Sequence, residues 1–283
     1  MLLELTPKLA PRVWGGKRLK ERFGYEGEEP LGEAWMVYDE NEVKTPPYAG
    51  RRLKEVLPEL GEEFLGKRAA EKYGLELPLL VKLLDTGDWL SVQVHPDDEY
   101  AHRYEAESGF HGKSEAWVVL DAEPGAKIVY GVRRPVSREE FRRAAEAGEL
   151  EDYLNFVPVE PGDVIYVPAG TIHALGPGLF LLEVQQRSDL TYRIYDYGRG
   201  RELHLEKALA VAKLEPTPLV KTRVAPGEFL KTPYFAVSLV EGEVAAPKES
   251  FLALVSPEAT QGAVLGAGGR AEVKGPHFAA RVA

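Results

Sequence analysis

Between residues 78 and 197 the chain is built from short runs that are either continuously apolar or alternate apolar with polar. They are PLLVKLLD (78–85), WLSVQVH (89–95), EAWVVLD (115–121), AKIVYGV (126–132), DVIYVPA (163–169), LFLLEVQQ (179–186) and LTYRIYDY (190–197). Runs of this length predict strands. The turn pairs Pro124-Gly125 and Pro161-Gly162 and the triplet Gly176-Pro177-Gly178 punctuate them. Three stretches predict helices instead. Residues 51–73 carry apolar residues at three- and four-residue spacing with interruptions at Pro58 and Gly61. Residues 97–107 open with two acidic residues, a favourable helix start. Residues 137–154 place Ser137 three residues before Glu140, the spacing of a capping box. Many short strands with tight turns and few helices predict a mainly β protein, a barrel or sandwich.

The pattern changes after residue 215. The segment LEPTPLVKTRVAPGEFLKTPYF (214–235) holds four prolines, and short β-like pieces follow to the end. We expect residues 1–215 to form a catalytic or binding domain with helical segments, and residues 216–283 a small, abbreviated β domain serving packing or oligomerisation. The latter has a single histidine, His277, and no cluster of potential ligands.

Composition narrows the chemistry. Hydrophobic residues make up 44% and charged residues 28%, the balance of an ordinary globular protein. No apolar run approaches the ~20 residues of a membrane helix, and the N-terminal stretch lacks a signal pattern. A cytoplasmic location without membrane association is expected. Cysteine is absent, which excludes disulfides, thiolate ligands and a cysteine nucleophile. Thirty-five basic against 45 acidic residues give a net charge of −10, a poor match to nucleic acid. A small anionic ligand remains compatible, because a few local cations can outweigh the overall field.

Two segments carry candidate chemistry. In LSVQVHPDD (90–98) the strand period places Ser91, Gln93 and His95 on one face and Val92 and Val94 on the other. Such a polar face meets either solvent or the cavity of a closed barrel. In GDVIYVPAGTIHAL (162–175), Gly162, Pro168, Gly170 and His173 follow the spacing G-x5-P-x-G-x2-H. That is a strand, a tight corner and a histidine aimed back as the next strand begins.

The second segment resembles the second cupin motif, and the chain resembles the type I mannose-6-phosphate isomerase family. The matching stretches are WGG (14–16), PLLVKLLD (78–85), LSVQVHPDD (90–98), GKSEAWVVL (112–120), NFVPVEPGDVIYVPAGTIHAL (155–175) and EVQQRSDLTYRIYDYGR (183–199). The likeness covers roughly residues 5–210 and is loose beyond them. It implies a cupin-type β-barrel, or jelly roll, with helical insertions. It also implies one Zn²⁺ per chain on Gln93, His95, Glu115 and His173, with Gln93 either the fourth ligand or a hydrogen-bonding support. Two imidazoles, a carboxylate and an amide oxygen suit zinc, and iron or manganese as well.

The implied reaction interconverts mannose 6-phosphate and fructose 6-phosphate by moving a proton between C1 and C2. That requires a base, stabilisation of negative charge on oxygen, and an anchor for the phosphate. The resemblance assigns Arg193 to the active site, Glu183 to an acidic position near the metal as candidate base, and Lys82 and Lys113 to proton relay or charge stabilisation. Ser91 and Arg199 are the candidate phosphate contacts, a hydroxyl and a cation suited to bidentate binding. Asp97 and Asp98 read as helix caps, Asp189 and Asp196 as braces for the arginines, and Tyr192 and Tyr195 as core. His102, His111 and His204 read as surface or capping residues. Two alternatives stay open: a metal-containing cupin that binds sugar phosphates without turnover, and a cupin dioxygenase. The oligomeric state, monomer or homodimer, is not set by the sequence.

Overall fold

The computed structural model describes residues 1–283. It is mainly β, with every paired strand antiparallel to its neighbours, in three sheets. A seven-stranded central sheet runs in the order Val220–Arg223, Asp163–Val167, Glu115–Ala122, Leu179–Gln186, Leu79–Asp85, Leu31–Val37, Lys8–Gly16. A five-stranded sheet contains Tyr192–Tyr195, Val92–Val94, His173–Leu175, Lys127–Val132 and Leu154–Pro158. The third sheet joins the C-terminal strands to Leu2–Thr6 and Glu42–Val43.

The inner strands of the central sheet are buried on both sides, and the pleat sorts their side chains. Leu79, Val81, Leu83, Ala116, Val118, Val164, Leu182 and Val184 face the C-terminal sheet and helix Leu53–Leu65 in a core of 34 buried residues. Leu84, Trp117, Val119, Ile165 and Leu181 point the other way and meet Ile128, Tyr130 and Leu175 of the five-stranded sheet. The apolar face of the five-stranded sheet, Val92, Val94, Val129, Ala174 and Ile194, packs on helices Arg138–Ala147 and Leu205–Val211. The mainly β expectation holds, with the strands arranged as stacked antiparallel sheets.

The expected helices form with their predicted devices. Ser137 accepts a hydrogen bond from the Glu140 amide (3.1 Å) and Asp97 from the Tyr100 amide (2.8 Å), so both act as N-caps. The 51–73 stretch is two helices, Leu53–Leu65 and Lys67–Tyr73; Gly61 breaks the helical geometry inside the first and Gly66 separates the two. The 137–154 stretch is helical over Arg138–Ala147 and then a 3₁₀ turn at Leu150–Asp152. Two short helices, Arg18–Phe23 and Leu205–Val211, carry no such signal in the sequence.

Hydrogen bonding crosses residue 215 in both directions. Val220–Arg223 extends the central sheet beside Asp163–Val167, and Leu2–Thr6 pairs with Gly262–Leu265. Phe235, fully buried, sets its ring edge-on to Tyr166 of the central sheet, 6.3 Å between centroids. A single cooperative unit is therefore expected. Phe235→Ala should lower stability by about 3–5 kcal/mol, read as a shifted urea midpoint of one transition. Two separate transitions, or a loss below about 1 kcal/mol, would contradict this packing.

Candidate metal centre and catalytic pocket

Two cross-strand rows build the site. In the central sheet, Trp35, Lys82, Glu183 and Trp117 stand side by side in register. In the five-stranded sheet, Arg193 lies opposite Gln93, and Gln93 opposite His173. The polar side chains of both rows, with Trp117 packed against His173 (5.5 Å between centroids), bound one region between the sheets. Ser91 sits two residues from Gln93 on the same face, as the strand period requires.

His95, Glu115 and His173 converge, all buried, with one potential ligand atom from each lying within 4.8 Å of the others. The corner before His173 depends on Gly170, whose φ of +83° is left-handed, a conformation glycine adopts without steric cost. The Gly170 amide also donates to the His95 carbonyl (2.9 Å), which ties the two histidine segments together. His173 Nδ1 lies 2.8 Å from the Thr171 carbonyl and His95 Nδ1 3.0 Å from the Leu190 carbonyl. Each Nδ1 therefore carries the proton, and each Nε2 presents a lone pair.

Those lone pairs face a carboxylate. His173 Nε2 is 3.1 Å from Glu115 Oε1, and His95 Nε2 is 3.4 Å from Glu115 Oε2. His173 Nε2 is buried without a hydrogen-bond partner. Acceptors brought this close in a dry interior call for a cation between them. Lys113 partly meets that need, with its ammonium 3.1 Å from His95 Nε2 and 3.0 Å from Glu115 Oε2. Burial and the Lys113 charge push the His95 pKa down to about 3, so its ring is neutral and ready to ligate. Burial opposes ionisation of Glu115, but Lys113 and the two imidazoles hold its pKa well below the usual carboxylate value. The donor set fits a divalent metal: two imidazoles and a carboxylate, with the imidazole Nδ1 atoms fixed by backbone carbonyls.

Beside this cluster opens a pocket of about 440 Å³. Lys82, Lys113, Glu183, Arg193, Ser91 and Gln93 all line it. Glu183 accepts from Trp117 Nε1 (3.0 Å) and lies 3.2 Å from the Lys82 ammonium. Burial and the neighbouring Glu115 raise its pKa. For Lys82 burial works against the charge, but Glu33 and Glu183 on either side raise its pKa further, so it stays an ammonium. Arg193 donates to the Glu202 carbonyl (2.7 Å), leaves its buried Nε without a partner, and is fixed at the backbone by His204, whose Nδ1 accepts from the Arg193 amide (3.1 Å).

Some residues stand elsewhere than their sequence reading places them. Arg199 does not line the pocket; it binds Asp196 (2.9 Å) and stacks over Tyr197. Arg201, also held by Asp196, reaches the lining instead. Asp196 thus braces two arginines as expected, whereas Asp189 is itself part of the pocket wall. Arg12 and Glu33 also line the pocket, joined by a 2.9 Å ion pair, from positions that carry no functional signal in the sequence. Arg201 was within reach of sequence reasoning, as a cation five residues past Asp196 in a basic turn.

An antiparallel β-sandwich with a His–Glu–His cluster beside a pocket of opposed acids and bases is the arrangement of a cupin-type protein. The comparisons with known proteins agree. Residues 2–116 match the family model "Phosphomannose isomerase type I, catalytic domain". The mannose-6-phosphate isomerase of Streptococcus mutans is 38% identical over 281 residues, covering 93% of this chain and 86% of the relative. A probable mannose-6-phosphate isomerase of Bacillus subtilis, GmuF, is 37% identical across 98% of this chain and 92% of its own length. The crystal structure of the mannose 6-phosphate isomerase from Bacillus subtilis superposes with a TM-score of 0.76 at 33% identity, covering 99% of this chain and 96% of that one. The chain belongs to the mannose-6-phosphate isomerase family.

Lys82 is the cation paired with Glu183 and lies beside Glu33, which Arg12 also neutralises. Replacing it by an apolar residue of similar length, Lys82→Met, should cost about 3–5 kcal/mol, measured by chemical denaturation. A loss below about 1 kcal/mol would show that Glu33 and Glu183 do not depend on it.

Proposed function

We propose that this chain interconverts mannose 6-phosphate and fructose 6-phosphate by proton transfer between C1 and C2. One observation carries the reading: a buried carboxylate of raised pKa, Glu183, lines the same pocket as Arg193 and as Lys113, the lysine that contacts the His95–Glu115–His173 cluster. A site that only binds a sugar phosphate needs no base of this kind, and family membership sets the dioxygenase alternative aside. We place the reaction in the cytoplasm; no helix of the chain is long and apolar enough to cross a membrane.

Zinc, one per chain, would be held by His95, Glu115 and His173, with Gln93 as fourth ligand from its place beside His173 in the row. When bound, it supplies Lewis acidity to the oxygens on C1 and C2. The chain's own groups account for the rest. Glu183 takes the proton from C2 of the aldose; the C–H electrons form the C1–C2 double bond, and the carbonyl oxygen takes up the charge. Glu183 then returns the proton to C1, and the hydrogen on the C2 oxygen passes to the C1 oxygen as the new carbonyl forms. Trp117 Nε1–H and the Lys82 ammonium fix the carboxylate through both steps. Arg193 faces the developing negative charge, and its unpartnered Nε is free to donate. Ser91 and Arg201 anchor the phosphate, with Arg199 sharing Asp196 and so holding Arg201 in position.

A coupled isomerase assay with metal analysis on the same sample tests the reading. Turnover should disappear on chelation and return with Zn²⁺, and Glu115→Gln should lose both metal and activity. Metal-replete protein that converts neither sugar phosphate would refute it. Arg201→Ala should lower kcat/KM about 10- to 100-fold, chiefly through KM, as expected for a charge-assisted hydrogen bond to a non-reacting group. An effect confined to kcat would remove Arg201 from the phosphate.

A further inference from the structure

A second group of metal-binding side chains lies outside the pocket. Asp98 and His102 occupy positions i and i+4 of helix Asp98–Tyr104 and so share a face. The loop that follows brings His111 to that face, and one ligand atom from each of the three falls within 4.8 Å of the others. The sequence reading left both histidines as surface residues, because nothing in their spacing shows the loop folding back.

The hydrogen bonds order the site for a metal. His111 Nε2 is 2.8 Å from Glu76 Oε1, so the ring carries its proton on Nε2 and leaves Nδ1 bare. That bare Nδ1 lies 3.0 Å from His102 Nε2. A carboxylate behind a ligating histidine is the arrangement that fixes tautomer and ring orientation in metal sites. Tyr73 holds the other side of the His111 ring edge-on at 5.3 Å. Asp98 is likewise fixed, its Oδ1 accepting from the Gly112 amide and from Gln186 Nε2, both at 2.9 Å. His102 is exposed, which gives an ion access from solvent, while Asp98 and His111 are half-buried.

We propose that Asp98, His102 and His111 form a second metal site, selective for zinc-like divalent ions, with Glu76 as the support for His111. Two imidazoles and one carboxylate favour Zn²⁺ or Co²⁺ over Mg²⁺ or Ca²⁺, and solvent completes the coordination on the exposed side. Binding requires only that His102 move its proton to Nδ1, releasing the hydrogen bond between the rings. The ion then clamps the helix to the loop that runs on through Gly112 into Lys113, Ser114 and Glu115. An ion at this site thus stiffens the segment that carries Lys113 into the pocket and Glu115 into the cluster with His95 and His173.

Equilibrium dialysis of the full chain against Co²⁺ tests the proposal without reference to turnover. Wild-type protein should bind two ions, Glu115→Gln one, and His102→Ala one, with the double variant binding none. His111→Gln should repeat the His102→Ala result. Glu76→Gln should weaken the second site about 10- to 100-fold while leaving the first unchanged. An ion count that neither the His102 nor the His111 substitution alters would overturn the proposal and leave the Glu76–His111–His102 chain as a hydrogen-bond relay alone.

Discussion

Charge neutralisation inside an apolar sandwich is the constraint on which the site depends. Glu33, Glu115 and Glu183 are all buried, as are Lys82 and Lys113. In such surroundings a lone charge is costly, so each group persists only beside its partner. Lys82 serves Glu183 and Glu33, Lys113 serves Glu115, and Arg12 shares Glu33 with the Trp35 indole. Three carboxylates meet two lysines and a half-exposed arginine, so the charges of these groups balance. Burial and then the neighbouring Glu115 charge keep the Glu183 pKa raised, which suits the proton transfer proposed for it.

The fold supplies this arrangement through the pleat of two facing sheets. On the central sheet, one face is mainly apolar and packs against the C-terminal sheet. The other is apolar around Leu84, Val119 and Leu181 and polar along Glu33, Lys82, Glu183 and Glu115. The five-stranded sheet answers with Arg193, Gln93 and His173 in one row. Because the strand period is two, a one-residue slip in register would turn a whole row away from the pocket. The extensive apolar packing on the outer faces therefore preserves the catalytic geometry as well as the fold.

This organisation shows how far the sequence could be read. His173 was legible because a Pro/Gly corner between two apolar runs has few structural solutions, and the helix caps at Asp97 and Ser137 were legible because capping is local. The face shared by Ser91, Gln93 and His95 followed from alternation alone. Arg12 and Glu33 were not, because their strands hide their period: Lys8–Gly16 contains Pro11 and two glycines, and Leu31–Val37 is buried on both faces. The pairing of Glu115 with the histidines, the entry of Asp189 and Arg201 into the pocket, and the meeting of His102 with His111 are set by which segments become neighbours. Periodicity fixes a side chain's face and leaves its partner across the sandwich undetermined.

The claim that Glu183 moves the proton within this charge-balanced pocket is tested most directly by exchange at the substrate carbon. Mannose 6-phosphate would be incubated in D₂O with wild-type and Glu183→Gln proteins matched for metal content, and deuterium at C2 followed by NMR. The account predicts exchange with the wild type and none above background with Glu183→Gln. Exchange at an undiminished rate in the variant would contradict it and move the base to another residue of the pocket.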